Sequence, residues 1–140
     1  MVRISDIELV RILMENSRTP FIEIARRLGV SEATVRKRVR KLEREGVIRK
    51  YTVDVDPRRL GFEVRVIIGV DTRPESYLSV LRRLKEMREV VSLYSCTGDH
   101  MALAECWFRN SGELAEFVRM LESMEGVTRV CPAIIIERIK

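Results

Sequence analysis

Six basic residues stand close together between Ser31 and Glu45: Arg36, Lys37, Arg38, Arg40, Lys41 and Arg44. The acids of this segment, Glu32, Glu43 and Glu45, sit at its ends, so its middle is cationic without interleaved carboxylates. Cations gathered in this way suit a polyanion, because each one that meets a phosphate releases a condensed counterion. The spacing says how they are presented. Val35, Val39 and Leu42 recur at i, i+4 and i+7 and mark the inward face of a helix. At about 100° per residue, the opposite face carries Ala33, Thr34, Arg36, Lys37, Arg40, Lys41 and Arg44. A small residue at Ala33 permits close approach to a groove, and Thr34 and the basic side chains can reach base edges and phosphates. The candidate DNA-binding residues are therefore Ser31, Ala33, Thr34, Arg36, Lys37, Arg38, Arg40 and Lys41.

Other chemistries find little support. The chain has one histidine, His100, and three scattered cysteines, Cys96, Cys106 and Cys131, with no Cys-x-x-Cys pair. That is too few ligands at the wrong spacing for a structural zinc site, so no metal and no cofactor is expected. The cysteines read as small buried strand residues. No Gly-x-Ser-x-Gly and no phosphate-binding glycine loop is present, which argues against an enzyme. Aromatic residues make up only 6% of the chain, and no strand shows the stacking rings of an RNA-binding sheet.

The elements that must hold the basic segment follow from local signals. A first helix begins after Ser5, with Asp6 and Glu8 in its first turn and Leu9, Val10 and Leu13 as its apolar stripe; it stops near Asn16-Ser17. Thr19-Pro20 reads as an N-cap followed by proline at the first helical position. Phe21, Ile24, Ala25 and Leu28 form the inner face of that second helix, and Gly29 suits the left-handed residue that closes it. Ser31 then caps the third helix, which Gly46 ends near Glu45. Two helices joined by the tight turn Leu28-Gly29-Val30-Ser31 match a helix-turn-helix. The run 47–53 reads as a short strand, with Arg49 and Lys50 as further phosphate contacts, and 56–61 as a turn.

Charge divides at the same place. Residues 1–50 hold 13 Lys/Arg against 7 Asp/Glu, a net +6, whereas residues 51–140 hold 13 against 14, a net −1. A polyanion-binding segment on a neutral one is the natural reading. The expected organisation is 1–50 for the DNA-binding domain, 51–61 for a linker strand and turn, and 62–140 for a second domain.

In that second part, strands are expected over 63–71, 90–96, 101–108 and 127–139, and helices over 76–87 and from 110 to about 125. Leu78, Leu81 and Leu84 form the predicted inner stripe of one helix; Leu114, Phe117, Val118 and Leu121 that of the other. Thr97-Gly98-Asp99-His100 fits a two-residue hairpin centred on Gly98-Asp99. The order β-α-β-β-α-β is ferredoxin-like and places both helices on one face of the sheet. Yet both alternating sets of the third strand are largely apolar: Met101, Leu103, Glu105 and Trp107 on one side, Ala102, Ala104, Cys106 and Phe108 on the other. A face bearing Leu103 and Trp107 should not stand in water, so the chain is expected to pair with a second copy through it.

Met1–Asp6 has no apolar core of a secretory leader, and no stretch approaches the roughly 20 apolar residues of a membrane span. A cytoplasmic protein without membrane contact is expected. With no Gln, two Asn and abundant Arg and Glu, the composition resembles a thermophile's, where cytosolic disulfides also occur.

Taken together, Asp6, Leu9 through Arg18, Ile24-Ala25-Arg26-Arg27-Leu28-Gly29-Val30-Ser31, Arg38-Val39, Leu42-Glu43, Gly46-Val47-Ile48, Leu60-Gly61 and Thr97-Gly98-Asp99 resemble the Lrp/AsnC (feast/famine) transcription regulators over nearly the whole chain. The resemblance implies an α+β protein: an N-terminal winged helix-turn-helix and a C-terminal ferredoxin-like βαββαβ domain that assembles and senses an effector. It implies double-stranded DNA as partner, homodimers that assemble into octamers, and a free amino acid as effector near the hairpin. It marks Thr97, Gly98, Asp99 and His100 as effector-binding candidates, through backbone N–H groups for a carboxylate and Asp99 for an ammonium. The family often shows Gly-Asp-x-Asp there, and this chain has Met101 at the last position; plain turn chemistry explains Gly98-Asp99 equally. A DNA-compacting architectural protein without an effector is the alternative function.

Overall fold

A computed structural model describes residues 5–140; residues 1–4, part of the stretch in which no leader was expected, lie outside the described residues. The chain forms two compact units, Met1–Asp54 and Val55–Lys140.

The first unit holds α1 (Asp6–Glu15), α2 (Phe21–Leu28) and α3 (Glu32–Arg44). Ser5 caps α1 by accepting from the Glu8 N–H at 3.3 Å. Thr19 does not cap α2. Its hydroxyl donates to the Asn16 carbonyl at 2.6 Å, and Pro20 takes the N-cap position, its carbonyl accepting from the Glu23 and Ile24 N–H groups. Gly29 turns the chain at φ 67°, a left-handed conformation open to glycine at no steric cost. Leu9, Ile12, Leu13, Ile24, Ala25, Val35, Val39 and Leu42 form the core of this unit. Like charges at i and i+4 on α3 (Arg36 and Arg40, Lys37 and Lys41, Arg40 and Arg44) cost a few tenths of a kcal/mol each. Burial of Val35, Val39 and Leu42, at about 1.5–3 kcal/mol for each side chain, outweighs that repulsion. The helix therefore keeps its cationic side.

No strand forms over 47–53. The Val47 and Ile48 N–H groups instead close the end of α3 on the Leu42 carbonyl. A β-branched run has strand propensity, but a strand exists only in a ladder, and among the described residues no segment pairs with this one.

The second unit is a four-stranded antiparallel sheet of β1 (Val64–Thr72), β2 (Val90–Ser95), β3 (Ala102–Phe108) and β4 (Val127–Ile134), in the order β2-β3-β1-β4. Helices α4 (Tyr77–Glu86) and α5 (Ser111–Ser123) connect β1 to β2 and β3 to β4. Both pack on one face: Val80 and Leu84 of α4 and Leu114, Phe117 and Leu121 of α5 share a core with Val66, Ile68, Val70, Ala102, Ala104, Cys106 and Phe108. The fold is α+β with the ferredoxin-like order.

Helix α4 and strand β4 differ from expectation. The inward stripe of α4 is Val80 and Leu84, and Leu78 is 68% exposed. A 3₁₀ turn over Pro74–Ser76 leads into the helix and sets a phase that leucine spacing alone does not reveal. Strand β4 ends at Ile134 rather than Ile139. The Ile135 N–H still reaches the Arg65 carbonyl at 2.8 Å, but β1 begins at Val64, so the ladder has no further partner. The Ile136 carbonyl accepts from Arg58 at 2.6 Å instead. Pro132, which has no N–H to donate, sits on β4, an edge strand.

The other face of the sheet carries Arg65, Ile67, Gly69 and Asp71 from β1 and Leu103, Glu105 and Trp107 from β3, with Met101 just ahead of that strand. Arg65 meets Glu105 at 3.1 Å, and the Trp107 indole donates to the second Glu105 oxygen at 2.9 Å. The three cysteines are free thiols; Cys106 is buried, and burial pushes its pKa up to about 12, so it stays protonated. Among the described residues no helix is long and apolar enough to cross a membrane.

Candidate functional site

Helix α3 carries the basic residues on a frame fixed at both ends. At its start the Ser31 hydroxyl accepts from the Thr34 N–H at 3.1 Å and lies 2.8 Å from the Thr34 hydroxyl. Both residues are thus committed to the cap, which costs about 1 kcal/mol to remove. Ala33, Lys37, Arg40, Lys41 and Arg44 are exposed on the side away from Val35, Val39 and Leu42. Lys41 reaches Glu45 at 3.8 Å, one turn along the helix.

The remaining two arginines are engaged within the unit. The Arg36 guanidinium meets Glu32 at 2.7 Å and lies over the Phe21 ring, 5.7 Å from its centroid. Arg38 turns to the flank and donates from Nε to Asp6 Oδ1 at 3.0 Å, tying α3 to the start of α1. Of the basic candidates, Lys37, Arg40 and Lys41 lie together on the open side. Arg44, outside the candidate set, shares that side, and helical periodicity alone could have added it.

The hairpin between β2 and β3 is wider than expected. The Cys96 N–H donates to the Met101 carbonyl at 2.9 Å, which makes Thr97, Gly98, Asp99 and His100 a four-residue loop. Gly98 alone of them has a positive φ, 101°. The reason lies on β1. Asp71 Oδ1 accepts from the Met101 N–H at 2.9 Å, and Asp71 Oδ2 lies 3.0 Å from His100 Nδ1. The imidazole also rests on Gly69, where a Cβ would come within 2.5 Å of the ring. Thr97, Gly98 and Asp99 remain exposed, and His100 is half-buried against the sheet. Sequence reasoning missed Asp71, since nothing local links the end of one strand to a loop nearly thirty residues later.

Burial raises the Asp71 carboxyl, but the Met101 N–H, the His100 ring and the charge of Arg129 outweigh it and hold the group below its usual value. A carboxylate lowered in this way stabilises the fold above its unfolded pKa of about 3.9, and the contribution is lost as pH falls through the lower folded value. Asp71→Asn is expected to cost about 1 kcal/mol near neutral pH and close to nothing near pH ~2. Urea unfolding at the two pH values measures this, and equal costs at both would show that the charge is immaterial.

Among the described residues no group of three His, Cys, Asp or Glu side chains could hold a metal ion. The arrangement offers two things: a cationic helix face on a rigid three-helix body, and a polar loop bolted to a sheet.

Comparison with known proteins identifies the family of each part. Residues 3–49 match the winged helix-turn-helix DNA-binding family, and residues 65–140 match the Lrp/AsnC ligand binding domain. The HTH-type transcriptional regulator LrpA of Pyrococcus horikoshii is 47% identical over 133 residues, covering 94% of each chain. Among solved structures, E. coli AsnC superposes with a TM-score of 0.81 at 26% identity over 99% of this chain and 96% of its own. A feast or famine regulatory protein from M. tuberculosis, complexed with L-methionine, superposes with a TM-score of 0.83 at 26% identity over 96% and 92%. With matching domains in both halves and regulators as full-length relatives, the chain belongs to the Lrp/AsnC family of DNA-binding transcriptional regulators.

Proposed function

We propose that α3 enters the major groove of double-stranded DNA with its open side, so that Ala33 permits the approach, Lys37, Arg40 and Lys41 contact bases and phosphates, and Arg36 reaches the groove from its place beside Phe21 and Glu32. Ser31 and Thr34 hold the N-terminal end that docks first, and Arg38 braces the helix from behind through Asp6. The observation that carries this reading is the exposed cationic side of α3, backed by the buried Val35, Val39 and Leu42. Residues 1–50 act as the DNA-binding part, 51–61 as the link, and 62–140 as the part that assembles. The second copy covers the sheet face that bears Ile67, Leu103 and Trp107, and the two α3 helices then address half-sites about one helical turn apart. Octamers are a further step of the same assembly. The protein works where its DNA is, in the cytoplasm.

The loop Thr97, Gly98, Asp99 and His100 is the proposed effector site, with a free amino acid as ligand. Its backbone N–H groups suit a carboxylate and Asp99 an ammonium; the L-methionine complex of the mycobacterial relative supports the ligand class.

A footprint on genomic DNA tests the regulator reading. Protection of a discrete palindrome that bulk DNA competes poorly is the expected result. Uniform coating of any duplex would favour the architectural alternative. Thermal shifts against the free amino acids test the effector, because a ligand that prefers the folded state raises the melting temperature.

A further inference from the structure

We infer that Arg36 is the side chain through which α3 reads a guanine, and that Phe21, the first residue of α2, aims it. This rests on the reading of α3 as the groove-entering helix. Arg36 is held on two sides before any DNA arrives. One face of its guanidinium lies over the Phe21 ring, 5.7 Å from the centroid, and one edge meets Glu32 at 2.7 Å. Phe21 is itself packed against the core of the first unit, so the ring is a fixed platform. A guanidinium is a planar fork of five N–H donors. The Glu32 contact engages one end of it and leaves further donors for an outside pair of acceptors.

The guanine edge in the major groove presents such a pair, O6 and N7, and arginine meets it with two parallel hydrogen bonds. That match depends on the plane of the fork. A side chain already stacked and tethered loses less freedom on binding, and it reaches a misplaced acceptor less easily. Both effects favour discrimination. Lys37 and Arg40, by contrast, stand exposed on the open side of α3. A long side chain with no stacking or tethering partner tolerates many phosphate positions and carries little sequence information. Arg36 also lies in the first half of α3, near the end that approaches base edges in helix-turn-helix docking. Glu32 and Phe21 are accordingly positioning residues.

The test uses the full chain and duplexes selected from a randomised pool of roughly 30 bp, long enough for two half-sites. Binding is then measured by fluorescence anisotropy to the selected duplex and to single base-pair variants of it. Wild type is expected to discriminate against loss of one guanine per half-site by about tenfold to a hundredfold. Arg36→Lys keeps a charge at the surface but loses the fork. It should erase discrimination at that position, retain it elsewhere, and leave the salt dependence unchanged. Phe21→Leu keeps the apolar contact without the ring and should reduce the same discrimination at least severalfold, whereas Phe21→Tyr should restore it. A merely structural role for Phe21 would lower the melting temperature and weaken all duplexes alike, which overturns the inference. So would Arg36→Lys with the discrimination profile of wild type. A wild-type protein that binds every duplex equally would overturn the underlying reading of α3 instead.

Discussion

Removing the open-side cations together, as Lys37→Ala, Arg40→Ala, Lys41→Ala and Arg44→Ala, is expected to abolish duplex binding at ordinary salt while leaving the fold intact. Each phosphate contact contributes about 0.9 to the slope of log K against log salt. Four lost contacts therefore flatten the slope by about 3.6, and between 1 M and 0.1 M salt that amounts to between three and four orders of magnitude in affinity. The core of the first unit is untouched, because Val35, Val39 and Leu42 face the other way. The like-charge repulsion along α3 is relieved and alanine is a strong helix former, so the melting temperature should hold or rise. Anisotropy titrations over a salt series, paired with thermal unfolding, make the comparison. A quadruple variant that still binds with the wild-type slope would mean that another surface meets the phosphates.

Leu103→Glu is expected to leave the chain monomeric, on the proposal that a second copy covers the open face of the sheet. Leu103 lies on the face of the sheet away from α4 and α5, beside Ile67 at 38% exposure and Tyr94 at 60%. Apolar surface in that position is a candidate for coverage by a second copy. Burying an unpaired carboxylate there costs about 3–5 kcal/mol, and a two-fold interface meets the cost twice. At 1.4 kcal/mol per factor of ten, even a single carboxylate weakens association by about a thousandfold. The monomer keeps its own core, since Ala102 and Ala104, the neighbours that point to the helices, are unchanged. Sedimentation velocity measures the outcome. A variant that sediments as wild type would place the interface on another surface. DNA affinity should fall in parallel, because two linked recognition helices gain from an effective concentration that one helix lacks.

Several features of the hairpin and of α3 were fixed by contacts between distant parts of the chain. Arg38 looked like one more cation of the basic run, but Asp6 lies 32 residues earlier and claims it. The loop at Thr97–His100 looked like a tight turn, because Gly98-Asp99 is strong local turn chemistry. Asp71 overrides that signal by taking the Met101 N–H, so the hairpin opens to four residues. The run 47–53 shows the converse case: its residues favour strand, but among the described residues it meets no partner. In α4, leucines at Leu78, Leu81 and Leu84 suggested the inner stripe, yet the entry turn rotates Val80 inward and Leu78 outward.

By itself the amino-acid order determined what nearest neighbours along the chain can settle. Caps at Ser5 and Ser31, the left-handed turn at Gly29, the i, i+4, i+7 stripe beneath the basic face and the alternation of β3 all act within a few residues, and each appears in the folded chain where it was expected. The three-dimensional packing decided which charges remain available and which are already engaged. Arg36 against Phe21, Arg38 against Asp6, and Asp71 against His100 are choices of partner. The physical reason is that electrostatic and hydrogen-bond partners act through space over a few ångströms, a distance that position along the chain does not measure.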